Sequence, residues 1–222
     1  MCGRFSQQRP ASELAEIFSA EPLVEDPGPR FNVAPTDEAL VVVQRDDRRG
    51  VTAYRWGLIP HWADNVKVGS RMFNARAETL VGAPAFRDAF QRKRCLVPVE
   101  CFYEWRREGE VRQPYAIGRA DGQPLVLAGL WDGWRDPATE TVRRSFTIVT
   151  SAPNEAMAAI HNRMPVILDE ADWDAWLDPR FSERDRLLAM LEPHDEPELA
   201  IQAVSPLVNN VRNDGPELVV PI

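Results

Sequence analysis

The chain has 222 residues, of which 44% are apolar, and a formal net charge of −8 at pH 7. The length suffices for a sizeable core. No apolar run approaches the ~20 residues of a membrane span and no secretory signal is visible, so we expect neither a membrane segment nor export. The charge argues against general nucleic-acid binding, but residues 169–198 alone carry the acidic excess. A local basic surface is therefore compatible with the rest of the chain.

Taken in chain order, apolar periodicity first predicts a short helix over residues 11–20, with Leu14, Ile17 and Phe18 on one face and Ser12 as N-cap. Strands are predicted at 40–43, 51–56, 95–105 with an interruption at Pro98, 115–117, 125–130, 146–150, 201–207 and 218–220. Brief helices are predicted at 84–90 and 154–160. One or two more are expected in the acidic stretch, with inward-facing Trp173, Trp176, Leu177, Leu187, Leu188 and Leu191.

The predicted strands come in runs, whereas the predicted helices lie mainly towards the ends of the chain. This order favours an α+β fold over a doubly wound α/β fold. No internal repeat, low-complexity tract or linker interrupts the sequence. We therefore expect a single compact, β-rich domain over residues 1–222 with peripheral helices.

The first five residues, Met1 to Phe5, carry a distinctive chemical possibility. The small side chain of Cys2 permits removal of Met1, after which Cys2 presents a free α-amine and a thiol on adjacent carbons. The ordinary pKa is ~8 for such an amine and ~8.5 for a cysteine thiol, so both groups are expected to be partly in their reactive forms at neutral pH. The amine can form a Schiff base with an aldehyde, and the thiol can then close a thiazolidine ring. Gly3, Arg4 and Phe5 supply flexibility, a cation and an apolar anchor that would bury the terminus in a site.

Several segments combine polar, aromatic and proline residues without helical or strand periodicity, which is typical of loops that build sites on a rigid scaffold. They are Phe31-Asn-Val-Ala-Pro-Thr36, Arg55-Trp-Gly-Leu-Ile-Pro-His-Trp62, Phe73-Asn-Ala-Arg-Ala-Glu-Thr79, Cys101-Phe-Tyr-Glu-Trp105 and Ile160-His-Asn-Arg-Met-Pro165. In this order, and after Met-Cys-Gly-Arg-Phe, they resemble the SRAP family of abasic-site processing proteins. The resemblance runs from Cys2 to about Asn213, and the acidic stretch and C-terminal tail match least distinctively.

The resemblance implies a compact β-rich fold that binds single-stranded DNA and crosslinks to the ring-opened aldehyde of an abasic site. It implies that Cys2 is the bifunctional nucleophile and that Asn74 positions the terminus and the sugar. It also implies that Glu104 is the acid/base for ring opening and Schiff-base formation, and that His161 assists proton transfer at the sugar oxygen. The residues agree: an amide both donates and accepts, a carboxyl in an apolar run favours its protonated form, and histidine exchanges protons near neutral pH.

The candidate DNA contacts are cations, polar groups and an aromatic side chain within the same segments. Phosphate contacts are expected from Arg4, Arg76 and Arg163, and more weakly from Asn32 and Thr150. Trp62, and less so Trp56, is a candidate for stacking on bases. We expect single-stranded DNA with abasic sites as the partner, no membrane association and a monomer.

Three alternatives remain open at this point. A cysteine peptidase, or a protein that removes its own N-terminal residue, would use Cys2 as nucleophile and His161 as base. A metal site could in principle combine these two with Cys95 and Cys101, but no C-x-x-C pair is present, and we expect neither metal nor cofactor. A non-catalytic DNA-binding module would not need a free terminal amine. The odd set of three cysteines indicates a reducing, cytoplasmic location.

Overall fold

The structure, a computed structural model, describes residues 2–195 and 197–222, with the backbone alone at residue 108. These residues form the helices α1 (Ala11–Ile17), α2 (Arg87–Arg92), α3 (Glu155–Ala158), α4 (Trp173–Leu177) and α5 (Arg184–Ala189). Short 3₁₀ turns span Val66–Arg71, Ala77–Thr79, Glu170–Asp172, Pro206–Asn209 and Pro216–Val219. Within the described ranges, no helix has the length and apolar character needed to cross a membrane.

Strands dominate the described residues and fall into two sheets. They are β1 (Phe5–Gln7), β2 (Glu21–Pro22), β3 (Arg30–Val33), β4 (Glu38–Arg45), β5 (Arg48–Trp56), β6 (Asn74–Arg76), β7 (Arg94–Val99), β8 (Cys101–Glu108), β9 (Val111–Arg119), β10 (Leu125–Arg135), β11 (Val142–Ser151), β12 (Met164–Pro165) and β13 (Leu199–Ala203). The predicted β-rich α+β fold with peripheral helices is confirmed.

Strands of the larger sheet close on themselves. β4 and β5 form an antiparallel hairpin, and pairing continues from β4 through β7, β10 and β11 back to β5. The closing contact is parallel and places Phe146 opposite Trp56. β6 also pairs in parallel with β11, next to this contact, while β12 pairs with β11 antiparallel. The ring leaves few free strand edges and fixes the positions of β6 and β11, which carry candidate site residues.

The strands of the ring separate two cores, because successive side chains of a strand point to opposite faces. In β4, Leu40 and Val42 contact the cluster formed with α1, α2, α4 and α5, which we call the helix-side core. Val41 and Val43 contact the cluster that contains Cys2, which we call the terminus-side core.

The smaller sheet, in the order β13-β9-β8-β1-β3, covers the terminus-side core. Phe5 of β1 lies opposite Phe102 of β8 on one side and Val33 of β3 on the other. The N-terminal segment is therefore an interior strand of this sheet and not a frayed end. This position brings Cys2 between the two sheets.

The first predicted helix forms over a shorter range, and two of its details are wrong. Pro10 occupies the N-cap position and no side chain caps the helix, so Ser12 is not the cap. Leu14 and Phe18 are buried as predicted, but Ile17 is 36% exposed. Helix α1 packs against β5 and β2, so only a narrow stripe of its surface is covered.

Two strand predictions also fail. The predicted strand 95–105 is divided at Glu100, whose N–H donates to the Ser6 oxygen (2.9 Å) as the chain enters the other sheet. Pro98 remains inside β7, opposite Val126. Leu218 and Val219 belong to the 3₁₀ turn Pro216–Val219 and Val220 follows it, since proline fixes a turn-compatible φ at the start of the turn.

Candidate active site

Cys2 lies in the terminus-side core. Its side chain is fully buried, and the sulfur lies 3.9 Å from the main-chain oxygen of Arg4. Phe5 anchors the segment, since its ring centroid is 4.8 Å from that of Trp56. The predicted burial of this segment is confirmed, whereas the predicted removal of Met1 concerns a residue outside the described part of the chain.

Asn74 holds the main chain of Cys2. The parallel pairing of β6 with β11 places Asn74 opposite Ile148, and its Nδ2 donates to the Cys2 oxygen at 2.7 Å. The Asn74 Oδ1 atom is buried and accepts no hydrogen bond from the described residues. An unsatisfied buried amide oxygen costs about 1–3 kcal/mol. This oxygen is therefore an acceptor available to a donor that enters the site.

The carboxyl group of Glu104 is close enough to the Cys2 thiol to affect its pKa. It lies in β8 opposite Tyr115 of β9, and it is 3% exposed. Burial raises the pKa of the Cys2 thiol far above its usual range, and the nearby charge of Glu104 raises it further. This environment disfavours the thiolate form of Cys2, whereas the sequence alone predicts partial ionisation at neutral pH.

His161 and Arg163 lie in the turn that joins α3 to β12. The His161 Nδ1 atom accepts the main-chain N–H of Arg163 at 3.0 Å. The Arg163 guanidinium donates to the Thr150 oxygen at 2.6 Å and to both carboxylate oxygens of Glu78. The hydrogen bond from Arg163 to Glu78 lowers the pKa of that carboxyl. Thr150 lies opposite Arg76 in β6. Asn74 is two residues before Arg76 in the same strand, so Thr150, Arg76 and Asn74 lie on one face of the sheet.

Arg4 and Asn32 contact each other and the C-terminal segment. Arg4 Nη1 donates to Asn32 Oδ1 at 3.1 Å and to the Val208 oxygen at 2.9 Å. Asn32 is buried, and its Nδ2 donates to the Asn213 oxygen at 2.8 Å. Both residues thus have structural partners, and their predicted phosphate contacts stay predictions.

The exposed candidates are Trp62 and Arg76. Trp62 is 55% exposed and Arg76 is also exposed, so both can contact a nucleic acid. Trp56 is fully buried, and its indole N–H donates to the Phe73 oxygen at 2.8 Å. The weaker prediction that Trp56 stacks on bases is therefore wrong, and Trp56 belongs to the core.

The structure also gathers cations that sequence reasoning missed. A groove of about 750 Å³ is lined by Arg55, Lys67 and Arg71. Next to this groove Gly57 and Gly69 approach each other closely, since a Cβ at Gly57 would lie 2.4 Å from the Gly69 oxygen. Lys67 and Arg71 are four residues apart and Arg55 is twelve residues before Lys67, with Asp64 between them. The three cations therefore form no charge run in the sequence.

Asp214 is a second missed residue. Its Oδ1 accepts the main-chain N–H groups of Phe31 and Asn32 at 2.6 and 2.8 Å, and its Oδ2 accepts from Arg30 Nε. The polar run Asn-Asn-Val-Arg-Asn-Asp over residues 209–214 was a signal that this tail packs onto the site segments.

The cysteines are free thiols at separate places. Cys95 and Cys101 are buried, and burial raises the pKa of Cys101 to about 12. Among the described residues, no group of three or more histidine, cysteine or acidic side chains is arranged to hold a metal. The four residues of the metal alternative therefore do not form a ligand cluster.

Comparison with known proteins agrees with this arrangement. The family model "SOS response associated peptidase (SRAP)" matches residues 1–211. The chain is 37% identical over 222 residues to the "Abasic site processing protein YoqW" of Bacillus subtilis, and the match covers 99% of each chain. It is 29% identical over 228 residues to the "Abasic site processing protein YedK" of Escherichia coli, with full coverage of both. A crystal structure of a protein from Bacteroides thetaiotaomicron matches with a TM-score of 0.87 at 26% identity over 100% of both chains.

Proposed function

The chain belongs to the SOS response associated peptidase (SRAP) family, and we propose that it processes abasic sites in single-stranded DNA by forming a covalent thiazolidine through Cys2. The observation that carries this proposal is the environment of Cys2. Its carbonyl is fixed by Asn74 and its thiol is buried close to Glu104. The names of the relatives, which are called abasic site processing proteins, support the choice of substrate.

In the proposed reaction, removal of Met1 first frees the Cys2 amine. The amine nitrogen attacks C1 of the ring-opened deoxyribose, and water leaves to give an imine. The sulfur then loses its proton to a base and bonds to the same carbon, while the electron pair of the C=N bond moves to the protonated imine nitrogen, which becomes a ring amine. Protein and DNA are thus joined with loss of one water, and no oxidant or reductant is needed.

The protonated thiol favours this order of steps. A cysteine peptidase needs an activated thiolate, whereas the Cys2 thiol has a raised pKa. A protonated imine next to the sulfur would supply a positive charge, which lowers a thiol pKa. The thiol would therefore become a nucleophile only after the lesion has bound.

The neighbouring residues take roles that their positions support. Glu104 would donate a proton to the leaving hydroxyl and later accept the thiol proton. The free Oδ1 of Asn74 would accept from the Cys2 amine or a sugar hydroxyl. His161, fixed by the main chain of Arg163, would assist proton transfer at the sugar oxygen. Arg76 and Trp62, both exposed, would contact the phosphates and stack on a base.

The test replaces the thiol and leaves the amine. Cys2→Ser should abolish the heat-stable crosslink to abasic single-stranded DNA, because a hydroxyl closes the five-membered ring far less well than a thiol. Borohydride should still trap the imine of this variant. Cys95→Ala is the matched control, since Cys95 is another buried cysteine of the same core, and it should crosslink normally. A heat-stable adduct from Cys2→Ser would exclude the thiazolidine.

A further inference from the structure

A second cavity lies on the helix side of the ring, across the strands from Cys2. It has a volume of about 560 Å³ and opens between α2 and residues 179–187. Its apolar lining includes Phe90 and Leu187, which belong to the helix-side core, and Val81, which packs against that core. The proposed crosslinking reaction uses none of these residues.

Arginines surround this apolar floor. They are Arg87, Arg92, Arg180 and Arg184, and no acidic residue belongs to the lining. Arg87 pairs with Asp88 at 3.2 Å, and Arg180 pairs with Asp178 at 3.2 Å and with Asp47 at 3.4 Å. Arg92 and Arg184 are exposed and form no ion pair with the described residues. Two cations, one on each wall, thus remain available to an anionic ligand.

A buried cation, Arg94, joins the two walls of this cavity. Arg94 is 2% exposed and donates to the main-chain oxygens of Phe90 and Gln91 in one wall and of Asp178 and Phe181 in the other. Burial lowers the pKa of Arg94 to about 10, so the side chain keeps its charge at neutral pH. Its acceptors are neutral carbonyls, so its charge is not cancelled by an acidic partner. The hydrogen bonds from Arg94 hold both walls in place before any ligand binds.

We propose that this cavity binds a short acidic segment of a partner protein, with an apolar side chain on Phe90 and Leu187 and carboxylates on the arginines. Arginine forks match carboxylates in a bidentate geometry. The free cations come from separate elements on the two sides of an apolar floor. A peptide with acidic residues on both sides of an apolar one satisfies this pattern, whereas a nucleotide concentrates its charge at one end. The volume suits a few side chains.

The experiment measures fluorescence anisotropy of a labelled peptide, Asp-Glu-Leu-Phe-Glu-Asp, with the full-length protein at low salt. The variant Arg92→Glu/Arg184→Glu should bind at least about tenfold more weakly, as expected for reversing close charge pairs at an interface. The control Arg107→Glu/Arg112→Glu makes the same charge change at exposed positions elsewhere and should bind normally. A peptide with Ser in place of Leu-Phe should also bind at least about tenfold more weakly, because the apolar contact is lost.

A urea midpoint for each variant establishes that it is folded. Two results would overturn the proposal: equal peptide binding by the two charge-reversed variants, or equal binding of the Leu-Phe and Ser peptides. A short oligothymidylate is the competing probe. If it displaces the peptide and loses its own affinity in Arg92→Glu/Arg184→Glu, the cavity is a nucleic-acid surface and the peptide assignment is wrong.

Discussion

Two polar side chains of this molecule, the buried Arg94 on the helix side and the half-buried Asn74 on the terminus side, differ in how fully their hydrogen-bonding groups are satisfied. Every N–H of the Arg94 guanidinium has a carbonyl acceptor, at distances from 2.5 to 3.1 Å. Asn74 donates to the Cys2 oxygen, but its Oδ1 is buried without a hydrogen bond from the described residues.

This difference in hydrogen bonding indicates that Arg94 serves stability and Asn74 serves function. A fully satisfied buried network stabilises one arrangement of the chain. A buried acceptor without a donor costs stability, and such a group requires another explanation. The polar groups around Arg94 satisfy each other, whereas in the proposed reaction the acceptor of Asn74 is satisfied by substrate. The predictions below separate the two regions by asking whether a substitution changes rate or stability.

The largest effect is expected at Glu104. Replacement by Gln should slow crosslinking by about 10²–10⁴-fold, the usual contribution of a general acid/base. DNA affinity and the urea midpoint should change little, because Gln keeps the shape of the side chain. Single-turnover rates with abasic single-stranded DNA measure this, and the exposed Glu110→Gln is the control. Equal losses of affinity and rate would assign Glu104 a structural role.

The opposite pattern is expected at Arg94. Replacement by Met should lower the free energy of unfolding by about 3–5 kcal/mol, because it leaves several buried carbonyls without donors. Crosslinking per folded molecule should be unchanged. Urea denaturation measures the stability, with Arg92→Met as control because Arg92 is exposed and should change it by less than about 0.5 kcal/mol. If Arg94→Met lowers the free energy of unfolding by less than about 1 kcal/mol, the hydrogen bonds of Arg94 do not stabilise the fold as stated.

The smallest effects are expected at the exposed DNA contacts. Each phosphate contact adds about −0.7 to the slope of log K against log salt for single strands. Arg76→Ala should therefore make the slope shallower by about 0.7 and weaken binding to all sequences alike. Trp62→Ala should remove about 1–3 kcal/mol of stacking with little change in slope. One salt titration for each variant distinguishes them, and an unchanged affinity and slope for Arg76→Ala would mean that the DNA face is placed wrongly.

The sequence predicted most strands and the fold class because their signals are local. Apolar runs bounded by turn residues identified β4, β5, β10 and β11. The break at Glu100 was not predictable in this way, since it depends on a hydrogen bond to Ser6 in another strand. The strand predicted at 218–220 is wrong. The two valines after Pro216 have high β propensity, but the burial of Leu218 determines a turn at this place.

The candidate site was also predicted only in part, because its local sequence signals are readable and its long-range contacts are not. The Cys2 terminus and the segments around Asn74 and Glu104 have distinctive sequences, and the structure brings the three together. The polar run over residues 209–214 is a general signal that the tail packs onto the site segments, but it does not identify Val208 and Asn213 as the residues that Asn32 contacts. Nor could sequence reasoning give the raised pKa of the Cys2 thiol, since that shift depends on burial by distant residues.

The most direct test of the central claim is the intact mass of the wild-type protein after incubation with abasic single-stranded DNA. The account predicts a heat-stable species whose mass equals the protein without Met1 plus the oligonucleotide, less one water. Fragmentation should locate the attachment at Cys2. An adduct that retains Met1, an attachment at another residue, or no covalent species at all would contradict the proposed chemistry.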